Sequence, residues 1–439
     1  MPARRLERPG REPVTLRVDG EDVSALRGEP IAMSLLAAGK VALGRSVKYH
    51  RPRGATCFSG RCDGCLMRVD GVPSVRTCRT AAEHDTRLET QNVVGSAELD
   101  LLSAADWFFP GGMNHHEMFT WARPVNQVMQ LVAREVAGIG TLPSEAASVG
   151  AISSRAVDVV VVGAGAAGLA ATRVLARAGL AVLCVDEEPH AGGWLRFTLE
   201  AGDRELLAPL VASARESGAE LALRHVVVGI FDEPEEGRLA LVEHASGLWR
   251  VRARAWVLAV GRTEGSTAFE GSDLPLVVGA EGAARVLAHD IVPGERVVLA
   301  GDLGSRGEEL ASLARALREA RAEVSGPFAL EAITRADGRA QISSVTVVEG
   351  GRSAKLPCDL LVVAPATSAA YELPVQAGAR TELSEGVFEL VHTAGAHAVW
   401  IVGSARARMS AAEAIADGER AAHEIVAVLG GPAPKESAR

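Results

Sequence analysis

The stretch VDVVVVGAGAAGLAATRVLARAGLAVLCVDEE, residues 157–188, limits the fold more than any other. Its length and apolarity suit a membrane helix, but Asp158, the glycines, Arg173 and Arg177 oppose one. A strand, a tight turn, a helix and a second strand fit instead. Gly163 allows the turn, Gly165 lets bare backbone approach a pyrophosphate, and Gly168 lets the helix pack close to the strand. Ala166 and Ala167 open the helix whose free amides face the phosphates, and Asp186 ends the second strand as an acceptor for a ribose diol, with Glu187 beside it. Gly193, in a Gly192-Gly193 pair, extends the cradle. The plain alternative is a glycine-rich turn packed on a sheet without a ligand.

From Val157 onward apolar strands alternate with Ala-rich helices, which predicts an α/β doubly wound, Rossmann-like architecture. RARAWVLAVGRTEG reads as a strand ending at Gly261, where a flavoprotein with two dinucleotide-binding domains crosses into its second domain. That domain's fingerprint, Gly301, Gly304 and Gly307, carries Asp302 inside the turn, and a carboxylate there repels phosphate. The following strand, near Val324, offers no ribose-binding acid, so a second nucleotide is not expected. The return, AVWIVGSARARMSAAEAIADGERAAHEIV, places Gly403-Ser404 where FAD enzymes of this class usually carry Gly-Asp. FAD and NAD both remain open at the first site.

Ahead of this lies a different regime. VTLRVDGEDV and LMRVDGVPSV are short alternating strands broken at Asp-Gly, a hairpin signal. Between them, four of the chain's six cysteines crowd into CFSGRCDGCLMRVDGVPSVRTC. Cys57-x4-Cys62-x2-Cys65 is the loop spacing of plant-type 2Fe–2S ferredoxins, and the hairpin can fold Cys78 back onto it. Ser59, Gly60 and Gly64 let backbone amides approach sulfur. Arg53, Arg61, Arg68, Arg76 and Arg79 surround an anionic cluster in sequence; otherwise they form a solvated face. A structural zinc is the competing reading, although only Cys62 and Cys65 form a short zinc-type unit. Disulfides are a third, disfavoured in a reducing compartment. Cys184 and Cys358 sit in apolar strands as inert core.

The expected organisation is therefore a small α+β ferredoxin-like 2Fe–2S domain at 1–100 and a helical connector and linker at 101–155. The dinucleotide-binding domain follows at 156–265, an inserted second Rossmann-like domain at 266–385, the return at 386–430 and a tail at 431–439. A formal charge of −9 argues against nucleic-acid or anionic-membrane binding. With no apolar leader and no spanning segment, the cytoplasm is the expected location. Asn114-His115-His116-Glu117 invites a metal reading, but adjacent histidines point different ways, which favours a surface role. No candidate base or nucleophile for amine oxidation stands out, so the catalytic residues are unknown at this point.

SVKYHRPRGA (residues 46–55), FTWARPVNQVMQLVAREVAGIG (residues 119–140), the Rossmann core and the Ser404-type return resemble the alpha subunit of heterotetrameric sarcosine oxidase. The cysteine window with VDGVPSVRTC is similar to the ferredoxin-like piece of hydrogen cyanide synthase and opine oxidase; dye-linked proline and hydroxyproline dehydrogenase subunits are further relatives. The resemblance implies an electron-transferring subunit of an amine or amino-acid dehydrogenase. It also implies a partner beta subunit of the glycine- or D-amino-acid-oxidase-like flavoprotein type, with its own FAD, and an FMN at the interface. It carries Cys57, Cys62, Cys65 and Cys78 over as cluster ligands, and Gly163, Gly165, Gly168 and Asp186 as dinucleotide contacts. Gly261, Gly403 and Ser404 join them at the return. The basic run Lys48, His50, Arg51 and Arg53 faces either an interfacial flavin phosphate or the partner, or packs as a plain loop. Sarcosine oxidase alpha subunits typically lack the four cysteines and carry a folate-binding, aminomethyltransferase-like domain that has no counterpart here, so folate-coupled demethylation is not expected. The competing classes are a stand-alone NAD(P)H reductase and a redox-silent structural subunit.

Metal analysis checks the cysteine reading: about two irons and two acid-labile sulfides per chain are expected. Zinc recovered in their place would refute it.

Overall fold

The computed structural model describes residues 3–6, 10–46, 50–93, 123–127, 150–235 and 237–431. The chain divides into two compact units: residues 1–146 with 266–365, and residues 147–265 with 366–439.

The second unit is built on a seven-stranded sheet, counted among the described residues. Strands Ala151–Val162, Val182–Asp186, Glu220–Leu223, Gly247–Leu258 and Val399–Ile401 run parallel, and Gly237–His244 and Val226–Glu233 add an antiparallel flank. The valine run explains the layering. Val159 and Val161 pack under helices Ala166–Arg177 and Ala411–Leu429, whereas Val160 and Val162 join Leu183, Trp256 and Ile401 on the other face. A strand buried on both faces has no need of alternation, and this one shows none. Its first residues, 151–155, fall in the segment that composition alone assigns to a linker. They are drawn into the sheet by the long strand Gly247–Leu258, pairing from Ala151↔Gly247 onward, a long-range partner that local composition does not reveal.

In the first unit, a five-stranded sheet with helix Ile31–Ala37 carries the cysteine loop. Both Asp-Gly pairs turn hairpins: Asp19 and Gly20 have φ of 50° and 87°, Asp70 and Gly71 have 47° and 82°. Two positive φ values in succession match the twist of the flanking strands. The inserted segment forms a four-stranded parallel sheet from Val277–Gly279, Leu360–Ala364, Arg296–Gly301 and Glu323–Ala329, with helices Ala280–Ala288 and Leu303–Glu319. The chain returns to the other unit at Ala366. The residues Lys48 and Asn114 to Glu117 lie outside the described residues.

The N-terminal segment ties the two halves of the first unit together. Strand Arg4–Arg5 pairs with Ile291–Val292, while Arg5 donates to both oxygens of Glu29 at 2.7 and 2.8 Å. Ser34 Oγ donates to the same carboxylate at 2.5 Å, and Arg11 bridges from it to Asp290. Glu29 is 1% exposed and Arg5 27%. Glu29→Ala is therefore expected to lower stability by about 2–3 kcal/mol in chemical denaturation, less than for a fully buried pair because Arg5 keeps part of its hydration. A change below about 1 kcal/mol would show that the strap is ornamental.

Candidate functional site

The cysteine loop is shaped by backbone that only small residues permit. Gly60 has φ of 83°, and a Cβ on Gly64 would sit 2.0 Å from the Gly54 carbonyl oxygen. Cys65 precedes strand Leu66–Val69 and Cys78 follows strand Val72–Arg76, so their hairpin carries Cys78 back beside Cys65. Thr77 fastens the junction, donating to the Cys65 carbonyl through its N–H at 3.2 Å and its hydroxyl at 2.7 Å.

The four thiols gather as free cysteines. Cys57 Sγ lies 3.3 Å from Cys62 Sγ and accepts N–H groups from Ser59 at 3.4 Å and from Arg61 and Cys62 at 3.3 Å. Hydrogen bonds from Cys62 and Cys78 hold Cys57 far below the ordinary thiol range. The same contacts push Cys62 and Cys78 up, while Cys78 draws Cys65 down to about 7. The protons thus belong to the group rather than to single residues. Among the described residues no set of three or more His, Cys, Asp or Glu is arranged around one metal ion. The contacts run instead as Cys57–Cys62 and Cys65–Cys78, with Cys57 also touching Cys78. Soft thiolate donors in two pairs, with amides aimed at one sulfur, fit a binuclear iron–sulfur cluster.

The arginines divide. Arg53 pairs with Asp273 at 2.9 Å and Arg51 with the same carboxylate at 3.8 Å; Arg68 turns to the Gly71 carbonyl and Glu89. Arg79 stays over the loop, its stem 2.9 Å from where a Cβ on Gly60 would be. His50 is buried with φ of 48°, and its carbonyl accepts from Arg45 at 2.5 Å. Cys184 and Cys358 are buried in the sheets' cores, and burial pushes each thiol up to about 12.

In the dinucleotide cradle, Gly163 has φ of 103°, and a Cβ on Gly168 would lie 1.8 Å from the Gly163 carbonyl oxygen. Helix Ala166–Arg177 starts at Gly165 with no side-chain cap and no acid in its first turn. Its amides stay available for an anion. A Cβ on Gly193 would lie 2.8 Å from Gly165 Cα, so two bare backbones face each other there. Asp186 accepts from Ala164 N–H at 2.5 Å and Glu188 N–H at 2.7 Å; burial pushes its carboxyl above the ordinary range. An acid at this point favours a ribose diol over a 2′-phosphate. The chemistry of this donor set fits a dinucleotide.

The second fingerprint behaves oppositely. Asp302 Oδ1 accepts from Gly304 and Ser305 N–H at 3.1 and 3.3 Å, and Ser305 Oγ donates to Oδ2 at 2.6 Å. The helix Leu303–Glu319 caps itself with its own anion.

At the return, Gly403 has φ of 68°, and Ser404 Oγ sits 3.8 Å from the place of a Cβ on Gly261. Two residues escape sequence reasoning. Asp417 accepts the Gly403 N–H at 2.9 Å, and Gly418 leaves room for the Ala167 carbonyl, 2.1 Å from its missing Cβ. Burial would push the Asp417 carboxyl up, but Arg406, Arg420 and the Gly403 amide together hold it below the ordinary range. A glycine in mid-helix, which costs about 1 kcal/mol against alanine, was the available signal.

A family model described as "2Fe-2S iron-sulfur cluster binding domain" matches residues 11–93, and one described as "NAD(P)-binding Rossmann-like domain" matches 161–210. Sarcosine oxidase subunit alpha of Rhizobium meliloti (strain 1021) is 26% identical over 460 residues, 96% of this chain and 46% of that protein. Hydrogen cyanide synthase subunit HcnA of Pseudomonas aeruginosa is 34% identical over 82 residues, 19% of this chain and 78% of that subunit. The crystal structure of L-proline dehydrogenase from P. horikoshii shares the fold, with a TM-score of 0.75 at 21% identity over 98% of this chain and 76% of that one. The chain spans less than half the length of the sarcosine oxidase alpha subunits it matches. Among the described residues no helix is long and apolar enough to cross a membrane.

Gly168→Ala is expected to cost about 1–3 kcal/mol in dinucleotide affinity or stability, since its Cβ meets backbone that cannot yield. Gly202→Ala, with nothing within 4 Å, is the control. Cofactor retained per chain after gel filtration reads the difference; equal retention in both would contradict the cradle.

Proposed function

Because the chain belongs to the family of sarcosine oxidase alpha subunits and their relatives, we propose that it is the electron-transferring iron–sulfur flavoprotein subunit of a multisubunit amine or amino-acid dehydrogenase or oxidase. The observation that carries this is the convergence of Cys57, Cys62, Cys65 and Cys78, with backbone amides aimed at Cys57 Sγ. These four are the cluster ligands. Gly163, Gly165, Ala166, Ala167, Gly168, Asp186, Glu187 and Gly193 hold the dinucleotide, with Gly261, Gly403 and Ser404 at its far end.

The dinucleotide is FAD. When bound, a flavin releases two electrons singly and a 2Fe–2S cluster accepts them singly, a junction a nicotinamide does not serve. This chain's part is to hold and bias. The uncapped helix at Gly165 receives the pyrophosphate, Asp186 orients the ribose, and the loop amides stabilise sulfur charge. Oxidation of the CH–NH or CH–NH2 bond belongs to a partner flavoprotein of the glycine- or D-amino-acid-oxidase-like type; sarcosine, proline, hydroxyproline and opines are the substrate class. The self-capped Asp302 helix speaks against an NAD(P)H reductase acting alone. Six cysteines with no disulfide among them suit the cytoplasm.

The purified chain is expected to retain cofactor and cluster yet leave amines untouched. Amine-dependent bleaching should arise only when it is combined with its partner. Substantial amine turnover by the single chain, or rapid flavin bleaching by NADH, would contradict the assignment.

A further inference from the structure

Open α/β sheets receive their ligands outside the carboxyl ends of their strands. In the inserted domain, that edge at Gly279 meets the cysteine loop. Gly279 N–H donates to the Thr56 carbonyl at 3.1 Å, and the first turn of helix Ala280–Ala288 lies flat on the peptide that follows. A Cβ on Gly282 would come 2.5 Å from Thr56 O and 3.2 Å from the Cys57 carbonyl carbon. Just before the loop, a Cβ on Gly54 would lie 3.0 Å from Pro275 Cβ, and Arg53 pairs with Asp273 at 2.9 Å. At Thr56 and Cys57 the contacts are with backbone, which fixes a position more tightly than flexible side chains do.

We propose that the inserted domain, with its second fingerprint capped by Asp302, serves as the seat of the iron–sulfur loop, and that Gly282 is the positioning residue that sets the potential of the cluster. The inference rests on the iron–sulfur reading above. Its physical basis is distance. The missing side chain lets the first turn of the helix stand against the Cys57 peptide. That turn carries Glu281, faced by Arg61, Arg285 and Arg306, so the amides and the arginines together leave the helix start positive, and nearby positive potential favours the reduced, more negative cluster. Backing the loop away weakens that bias.

The test uses the full chain carrying its cluster. Gly282→Ala must displace the Thr56–Cys57 peptide, because the clash is with backbone. At a fixed ambient potential its reduced-to-oxidised ratio is expected to fall about tenfold, a drop of about 59 mV for a one-electron couple, with altered g-values in the reduced spectrum. Gly294→Ala strains the same domain elsewhere, its Cβ 2.6 Å from Leu360 Cβ, and is expected to leave the potential unchanged. Should Gly282→Ala not fold, Asp273→Asn leaves the Arg53 charge unbalanced beside the loop and is expected to raise the potential, by less than Gly282→Ala lowers it. Wild-type potential in both Gly282→Ala and Asp273→Asn, or an equal shift in Gly294→Ala, overturns the proposal while leaving the iron–sulfur reading intact. A wild-type chain without iron would overturn both.

Discussion

Backbone N–H groups that find no acceptor within their own helix or strand govern where this chain can hold negative charge. Each must be satisfied, and the fold offers a different acceptor at each place. Around Cys57 three amides converge on one sulfur. At Gly165 the helix start is left without a cap, while at Asp302 a carboxylate of the chain takes the same position. The two fingerprints share a strand–turn–helix fold, but the second carries Asp302 as its own cap. That difference separates a cradle for a dinucleotide from a helix that needs none.

Glycines make these arrangements possible by removing what would stand between backbones. Gly168 and Gly418 bring helices onto the turn at Gly163 and Ala167, and Gly64 and Gly282 do the same for the cysteine loop. Ion pairs from partly exposed arginines to buried carboxylates then lock the positions, with Glu29 receiving Arg5 and Asp417 receiving Arg406 and Arg420. Such pairs specify geometry more than they add net stability. The inserted domain fits this pattern. It keeps the strands and helices of a nucleotide-binding domain, but its ligand-facing end at Gly279 is committed to the loop that bears Cys57.

Much of this was legible in the sequence because it rests on local rules. Both Asp-Gly pairs announce turns with positive φ, the valine run announces a strand covered on both faces, and the cysteine spacing announces a loop. What escaped depends on partners far away in the chain. The strand begins at Ala151 rather than Val157 because Gly247–Leu258 is long enough to pair with the earlier residues. Arg53 reads as part of a shell around a cluster, yet it turns to Asp273, more than two hundred residues on, as does Arg51 of the basic run. Gly282 looks like an unremarked helical glycine until the Thr56 carbonyl is seen beneath it. Asp417 carries no motif of its own, and its role appears only once the Gly403 amide is placed against it.

The central claim is that four thiolates share two irons. Low-temperature electron paramagnetic resonance of the full chain, reduced with dithionite, tests it most directly. The account predicts the signal of one unpaired electron delocalised over an iron pair, at about one spin per chain. A silent spectrum from a chain whose thiols are bound to zinc would contradict it.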